Sequence, residues 1–340
     1  MSIPVFRSYI RRKDMDTVLN CLVTDSVGPG EFLERFQKSA REALGFDYGF
    51  AVRSPFIALG LALDSLALSE GDAVAVPALA PAYYAQVLAS RRLVPVYLDA
   101  IQDSAEPDLS LLAAMDPHPK ALILHEALGI LSDPEAVRAL GLAVIEDMSN
   151  ALGGYRGEFR AGSMGRVAIL GLEHDSLVTS GGGALLLAFG KREAQVLRNL
   201  GEAIAPEVRM TDYNAALALS QLRDMEGAIE RRRELTALFA QSLARTRHRM
   251  LTQGGEGEPG YWAFPVSISS SVKEVRAYAK KKDLDTELAF EGSLLARGFV
   301  AEGSCPNARS MTMRCLLFPL HQRIGALAAE KIAKVLATLP

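Results

Sequence analysis

The stretch Leu142-Ala-Val-Ile-Glu-Asp-Met-Ser-Asn150 decides the fold. Its apolar opening, with β-branched residues, is typical of a short buried strand. This strand ends in two carboxylates, Glu146 and Asp147. In open α/β sheets, ligands bind beyond the carboxyl ends of the strands. We therefore predict that Asp147 contacts a ligand, although two carboxylates at this place would also suit a solvated strand end.

Strand and helix patterns alternate along the chain on both sides of this stretch. Strand patterns lie at 72–76, 94–98, 121–124, 167–172 and 184–189, and helical patterns lie at 57–67, 82–90, 109–115 and 134–140. This alternation predicts an α/β fold with a mostly parallel central sheet and helices on both faces. Beyond Lys191 the pattern changes to a long charged helix at 215–244 and a short α+β region. We expect a large domain at 1–235 and a small C-terminal α+β domain at 236–340.

The composition excludes several classes of protein. The 340 residues carry a net charge of -3, with 49% hydrophobic and 23% charged residues, which gives no reason to expect nucleic acid or an anionic membrane as partner. The cysteines Cys21, Cys305 and Cys315 form no paired framework, and the five histidines lack metal-ligand spacing. The start of the chain has no apolar signal core. The sequence predicts a cytoplasmic protein without a metal site.

Several segments together resemble one known family. They are Ile3-Pro-Val5, Gly71-Asp-Ala-Val-Ala-Val-Pro77, Val144-Ile-Glu-Asp-Met-Ser-Asn-Ala-Leu-Gly153, Thr179-Ser-Gly-Gly-Gly183 and Phe318-Pro-Leu320. In order and spacing they resemble the DegT/DnrJ/EryC1/StrS sugar-nucleotide aminotransferases. The resemblance implies the fold type I scaffold of pyridoxal 5′-phosphate (PLP) enzymes and a homodimer with sites between its subunits.

The resemblance also implies a role for particular residues. Asp147 matches the carboxylate that keeps the pyridine nitrogen of PLP protonated, so that the ring is an electron sink. Asn150 takes the place of a family glutamine, and Glu126 that of a family histidine. Ser54 and Phe56 belong to the turn that holds the cofactor phosphate at a helix start.

The lysine that forms the Schiff base in this family is missing. Alignment back from Gly183 places Asp175 in its slot, and alignment forward from Gly162-Ser163 places Ser176 there. His174 is one residue away. Neither alignment supplies an amine, and Lys191 lies beyond the next strand.

Other parts of the family site also differ. In the phosphate turn, Pro55 removes a donor N–H, and Phe56 replaces a hydroxyl with a bulky ring. The aromatic that stacks on the cofactor falls at Pro81, although Tyr83 and Tyr84 follow. A family asparagine that reaches the phosphate of the partner subunit is matched by Glu207, where a carboxylate would repel a phosphate.

These departures lead to a main hypothesis. The chain is a degenerate family member, a homodimer that has lost PLP-dependent transamination and holds no cofactor. Its old cleft would bind a sugar nucleotide or regulate a partner enzyme.

Two alternatives remain open. The first is a PLP- or PMP-dependent sugar aminotransferase or dehydratase-like enzyme with an atypical site. A dehydratase branch of the family uses histidine in the lysine slot, and His174 and Asp175 are the candidates here. The second is a different enzyme class on the same scaffold, in which His125, Glu126, His174 and Asp175 do acid–base work.

Overall fold

The structure, a computed structural model, describes residues 2–25 and 27–340. Met1, at which the predicted large domain begins, and Ser26 lie outside the described residues. A central sheet of seven strands organises the larger part of the chain. In spatial order these are β1 (Tyr48–Val52), β9 (Ala184–Ala188), β8 (Val167–Gly171), β5 (Ala143–Asp147), β4 (Ala121–His125), β2 (Ala73–Pro77) and β3 (Val94–Leu98).

Strand direction and register place the polar strand ends together. β2, β3, β4, β5 and β8 are parallel, and β9 alone runs antiparallel to its neighbours. The mostly parallel sheet predicted from the sequence is therefore confirmed. His125 pairs with Asp147, and Asp147 pairs with Ile169. The carboxyl ends of β4, β5 and β8 consequently meet at one edge of the sheet.

Helices cover both faces of this sheet. The helices are α1 (Arg12–Val23), α2 (Glu31–Leu44), α3 (Pro55–Asp64), α4 (Tyr83–Ser90), α5 (Pro134–Ala139), α6 (Lys191–Ala203), α7 (Asp212–Leu222), α8 (Met225–Leu243), α9 (Val272–Lys281), α10 (Pro306–Arg314) and α11 (Ala326–Leu336). Along β9, Leu186 packs in one core with α3, α4 and α6, whereas Leu185 and Leu187 pack in another with α2 and α7. The alternation follows from the two-residue period of a strand.

The C-terminal part of the chain has its own sheet and core. Strands β10 (Arg249–Met250), β12 (Phe264–Ser267), β14 (Cys315–Phe318) and β13 (Glu287–Leu288) form an antiparallel sheet. Its core also includes residues of α8, α9 and α11. The boundary between residues 235 and 236 falls inside α8 and stays a prediction. A third sheet joins β11 (Gly257–Glu258), β6 (Tyr155–Arg156) and β7 (Phe159–Arg160).

The long helix predicted at 215–244 is in fact two helices, α7 and α8. Arg223 and Asp224 separate them. The Asp224 carboxylate forms ion pairs with Arg11 and with Lys13, whose Nζ lies 2.5 Å away. This long-range contact is absent from any local pattern, which is why the periodicity alone predicted an uninterrupted helix. No helix in the two described ranges is both long and apolar enough to cross a membrane.

Candidate functional site

A cavity of about 320 Å³ opens beyond the carboxyl ends of β4, β5 and β8. Parallel strands direct their carboxyl ends, and the loops after them, to the same edge of a sheet, so the position follows from the topology. The polar side of the cavity includes His125, Asp147, Asn150, Glu173, Asp175 and Ser176, and the apolar side includes Pro55, Pro81, Tyr83, Trp262 and Phe290. Asp147 thus lies where the sequence predicted a ligand contact.

Donors from the chain itself surround the Asp147 carboxylate, which is only 2% exposed. Oδ2 accepts a hydrogen bond from the hydroxyl of Tyr84, and the Nδ1 atom of His125 lies 3.6 Å from the same oxygen. Oδ1 accepts from the backbone N–H of Ser149 at 3.0 Å and from the Ser149 hydroxyl. The Ser149 Oγ in turn accepts from the backbone N–H of Gly171 at 2.8 Å. These bonds link β5, β8 and α4.

The network favours the ionised aspartate. Burial by itself would raise the pKa of Asp147, but His125 and the hydroxyls of Ser149 and Tyr84 bring this pKa below its usual value. Burial and the negative charge of Asp147 raise the pKa of Tyr84 well above 10, so the phenol remains a donor.

Two further carboxyl groups, those of Glu146 and Glu126, lie behind Asp147 and its hydrogen-bond partners. Glu146 Oε1 accepts from the backbone N–H of Gly162 at 2.6 Å, and its Oε2 accepts from those of Met164 and Gly165 at 2.7 and 3.2 Å. Glu126 Oε2 accepts from the Ser132 backbone N–H at 2.8 Å, whereas Oε1 has no hydrogen-bond partner among the described residues.

Both carboxyl groups of this pair are disfavoured as anions. Burial, followed by the charge of Glu146, raises the pKa of Glu126 well above its usual value. Burial raises the pKa of Glu146 to about 7. Glu126 does not line the cavity, so the structure does not place it as a ligand contact.

The segment predicted as the lysine slot, at Asp175 and Ser176, forms part of the cavity wall. Glu173, Asp175 and Ser176 line the cavity, and no lysine does so in the part of the chain that the structure describes. Burial and the neighbouring Asp175 raise the pKa of Glu173. His174 is exposed and is not among the lining residues, and its carbonyl accepts from the Ser8 hydroxyl at 2.9 Å. Of the two predicted catalytic residues, only Asp175 contributes to the cavity wall.

At the phosphate turn, the start of α3 is capped by a side chain of the protein itself. Ser54 caps α3, since its Oγ accepts from the backbone N–H of Ile57 at 3.3 Å. Pro55 lines the cavity as the first helical residue. The Phe56 side chain is 41% exposed, and its ring centroid lies 6.3 Å from that of Tyr83. The hydroxyl at this turn is therefore used for capping, and the adjoining residue is an imide without an N–H.

The structure does not bring together the four residues proposed for acid–base work. His125 and Asp175 line the cavity, whereas Glu126 is buried behind it and His174 is exposed to solvent. Glu207 is also exposed, in a short 3-10 helix (Pro206–Val208), and the adjacent Arg209 donates to the carbonyl of Gly201 at 2.9 Å.

Sequence reasoning missed several lining residues. Glu173 is adjacent to the lysine slot, and its position at a strand end would have indicated it. Trp262 and Phe290 come from segments more than 100 residues beyond Asp147, and no local pattern marks them. The sequence favoured core or dimer packing for Tyr84 over a stacking role, and its bond to Asp147 depends on how α4 packs against β5.

These residues do not fit PLP held as a Schiff base. The slot offers no primary amine for an imine. The helix start lacks one N–H because of Pro55, and Ser54 caps the helix with its hydroxyl. The acceptor sites of Asp147 already receive three donors from the chain. In the described ranges, no group of three or more His, Cys, Asp or Glu residues could hold a metal ion.

Comparison with known proteins finds relatives and solved structures whose names refer to GDP-sugars. It is similar to a GDP-perosamine synthase of Caulobacter vibrioides, with 27% identity over 80% of this chain and 78% of the relative. A solved GDP-4-keto-6-deoxy-D-mannose-3-dehydratase of E. coli with bound hydrated PLP superposes with a TM-score of 0.87, 17% identity and 99% of each chain covered. A further solved GDP-4-keto-6-deoxymannose-3-dehydratase, with bound GDP-perosamine, gives a TM-score of 0.87 at 17% identity over 98% of this chain and 100% of that one.

These structural likenesses confirm the PLP fold type I scaffold. The family model for the DegT/DnrJ/EryC1/StrS aminotransferase family matches residues 8–339, and the chain therefore belongs to that family.

Proposed function

We propose that this family member binds a sugar nucleotide in the cavity beyond Asp147 without forming an imine to PLP. The observation that carries the proposal is the lysine slot, where Asp175 and Ser176 line the cavity wall. A carboxylate and a hydroxyl cannot form a Schiff base with an aldehyde, so the amino-transfer chemistry of the family lacks its nucleophile. The similarity to proteins named for GDP-sugars supports the choice of ligand class.

The walls of the cavity suit a sugar ring. Tyr83, Trp262 and Phe290 offer apolar surface against which the carbon–hydrogen face of a sugar can pack. Glu173 and Asp175 are acceptors for hydroxyl or ammonium groups. Asn150 both donates and accepts. The diphosphate would lie outside this acidic pocket, because three carboxylates inside it repel an anion.

Wild-type protein incubated with PLP and then reduced with borohydride is expected to carry no stoichiometric adduct at any one residue. The reason is that surface lysines give only scattered, substoichiometric imines. Peptide mass mapping after reduction measures the occupancy of each lysine, and Lys191, which begins α6 on the surface, serves as the internal reference for background labelling. A single fully labelled residue would refute the proposal.

The acidic wall leads to a second expected result. A GDP-sugar with an amino group, such as GDP-perosamine, should bind about tenfold more tightly than GDP-mannose, corresponding to about 1.4 kcal/mol. Asp175→Asn should remove most of this preference, because it deletes a charge that faces the ammonium group. Isothermal titration measures both affinities. Glu158→Gln, at an exposed residue outside the cavity, is the matched control and should keep the preference. Equal affinities for the two sugars in wild-type protein would contradict this account.

A second candidate function is a PLP- or PMP-dependent sugar aminotransferase or dehydratase-like enzyme with an atypical site. Family membership and the similar E. coli dehydratase with bound hydrated PLP favour it. Calorimetry with PMP separates the two candidates. Tight binding that Asp147→Ala abolishes would favour the enzyme, whereas a flat isotherm supports the first proposal.

The homodimer expected from the sequence also remains a proposal. The exposed ring of Phe56, next to Pro55 and near Tyr83, is an apolar group at the cavity that a second copy would cover. Light scattering after size exclusion measures the mass directly.

A further inference from the structure

We propose that Tyr84 takes the place of a cofactor ring nitrogen at Asp147, so that the aspartate is the centre of an internal network and is withheld from any pyridine ring. The inference rests on the proposed function in one respect only: the cavity is not occupied by covalently bound PLP. It assigns the Asp147 carboxylate a partner from the chain itself, the hydroxyl of Tyr84.

The position of Tyr84 makes it a permanent donor. Tyr84 lies in the first turn of α4, is completely buried and does not line the cavity. Its ring packs edge-on against those of Tyr83 and His125, with centroids 4.9 and 6.0 Å away. These contacts fix the ring, and the hydroxyl is directed at Asp147 Oδ2 from the protein side. Because the ring is already fixed, the hydroxyl loses no further conformational entropy when it donates this hydrogen bond.

The remaining capacity of the carboxylate is small. An ionised carboxylate has about four acceptor positions. Tyr84 and the two donors of Ser149 occupy three of them, and the fourth is faced by Nδ1 of His125 at 3.6 Å. A pyridine nitrogen arriving from the cavity would have to displace one of these groups. Displacing Tyr84 would break its bond to Asp147 and leave its buried hydroxyl only longer contacts, such as that to Nδ1 of His125 at 3.5 Å, which is costly.

The hydrogen bonds of Ser149 explain why Tyr84, and not Ser149, is the donor whose removal tests the inference. Ser149 Oγ is fixed from both sides, since it donates to Asp147 and accepts from the backbone N–H of Gly171. Its backbone N–H is part of the turn after β5. The backbone N–H and the hydroxyl of Ser149 both donate to Oδ1 of Asp147, and main-chain groups position both donors. In contrast, Oδ2 of Asp147 is held by one side-chain hydroxyl, that of Tyr84. A substitution of Tyr84 can therefore free this oxygen to accept from a ligand.

The test uses Tyr84→Phe, which deletes only the hydroxyl, and pyridoxamine as probe, because it carries the pyridine ring without the phosphate that this helix start is unsuited to hold. Tyr84→Phe should bind pyridoxamine at least about tenfold more tightly than wild type in isothermal titration. The added substitution Asp147→Asn should remove the gain. Tyr97→Phe, which deletes a hydroxyl from half-buried β3, is the matched control and should behave as wild type.

Two results would overturn the inference. One is equal affinity of wild type and Tyr84→Phe for pyridoxamine. The other is Asp147-dependent binding of pyridoxamine by wild-type protein with Tyr84 intact. Neither result bears on the absence of an imine, which borohydride labelling decides separately, so the failure of this inference and that of the proposed function can be distinguished.

If Tyr84→Phe does not fold, Asp147→Asn tests the same bond from its other end. The amide should lower the melting temperature more than Glu158→Gln does, and the carboxyl-carbon NMR signal missing from its spectrum assigns Asp147 in the wild type. An Asp147 signal that titrates at an ordinary aspartate pKa in wild-type protein would contradict a carboxylate fully engaged by the chain.

Discussion

Glu146→Ala is expected to lower the free energy of unfolding by about 3 to 5 kcal/mol, because three backbone N–H groups lose their buried acceptor. These groups belong to Gly162, Met164 and Gly165, in the loop that leads into β8. Glu146 is completely buried, so water cannot replace the carboxylate without opening the structure. Urea denaturation near neutral pH measures the loss.

Glu158→Ala provides the matched comparison for this variant. Glu158 is an exposed glutamate in the turn between β6 and β7, and its removal should change stability by less than about 0.5 kcal/mol. If both variants were equally stable, the loop at 162–165 would not depend on Glu146. Because β8 leads to Glu173 and Asp175, loss of the loop should also weaken sugar-nucleotide binding at the cavity.

Stability is expected to fall as the pH rises from about 4.5 to about 7. The folded-state pKa of Glu146 is raised from 4.5 to about 7, mainly by burial. The folded chain therefore retains a proton that the unfolded chain releases in this window, and the stabilisation is complete only below the unfolded value. Taken alone, the shift corresponds to roughly 3 kcal/mol lost by pH 8. Chemical denaturation at a series of pH values gives the slope.

Glu126→Gln isolates the contribution of this carboxyl pair. The amide oxygen can still accept from the backbone N–H of Ser132, but the variant has no second carboxyl group to repel Glu146. Its stability relative to wild type should rise as the pH increases from about 5 to about 8, because the variant lacks a carboxyl group whose pKa is raised by folding. Glu158→Gln should follow the wild-type curve. Parallel curves for wild type and Glu126→Gln would show that the pair does not titrate in this range.

Much of the fold could be read from local patterns. The strand patterns at 72–76, 94–98 and 121–124 lie within one residue of β2, β3 and β4 at each end. A buried parallel strand is recognised as a short apolar run between turn residues, and a helix by its period of about 3.6 residues. Both patterns are local in the sequence. The break between α7 and α8 could not be recognised in this way, because Asp224 is held by ion pairs with residues more than 200 positions earlier.

The candidate site was only partly predictable. Asp147 was expected at a ligand site because it ends a strand, and Asn150 because of the family resemblance, and both line the cavity. Glu126, which the resemblance placed at a cofactor position, is buried and does not line the cavity. It directly follows His125, and the 3-10 turn after β4 directs its side chain to Ser132 behind the sheet. The direction of a side chain after a strand end depends on the packing of the following turn.

Residue type and order along the chain were enough to predict the family scaffold and the place of Asp147 at the end of a strand. Only the tertiary structure decided that Asp175 faces the cavity while His174 faces solvent, and that Tyr84 completes the hydrogen bonds of Asp147. These facts depend on contacts between elements far apart in the chain, which hydrophobic burial brings together and which no local pattern records.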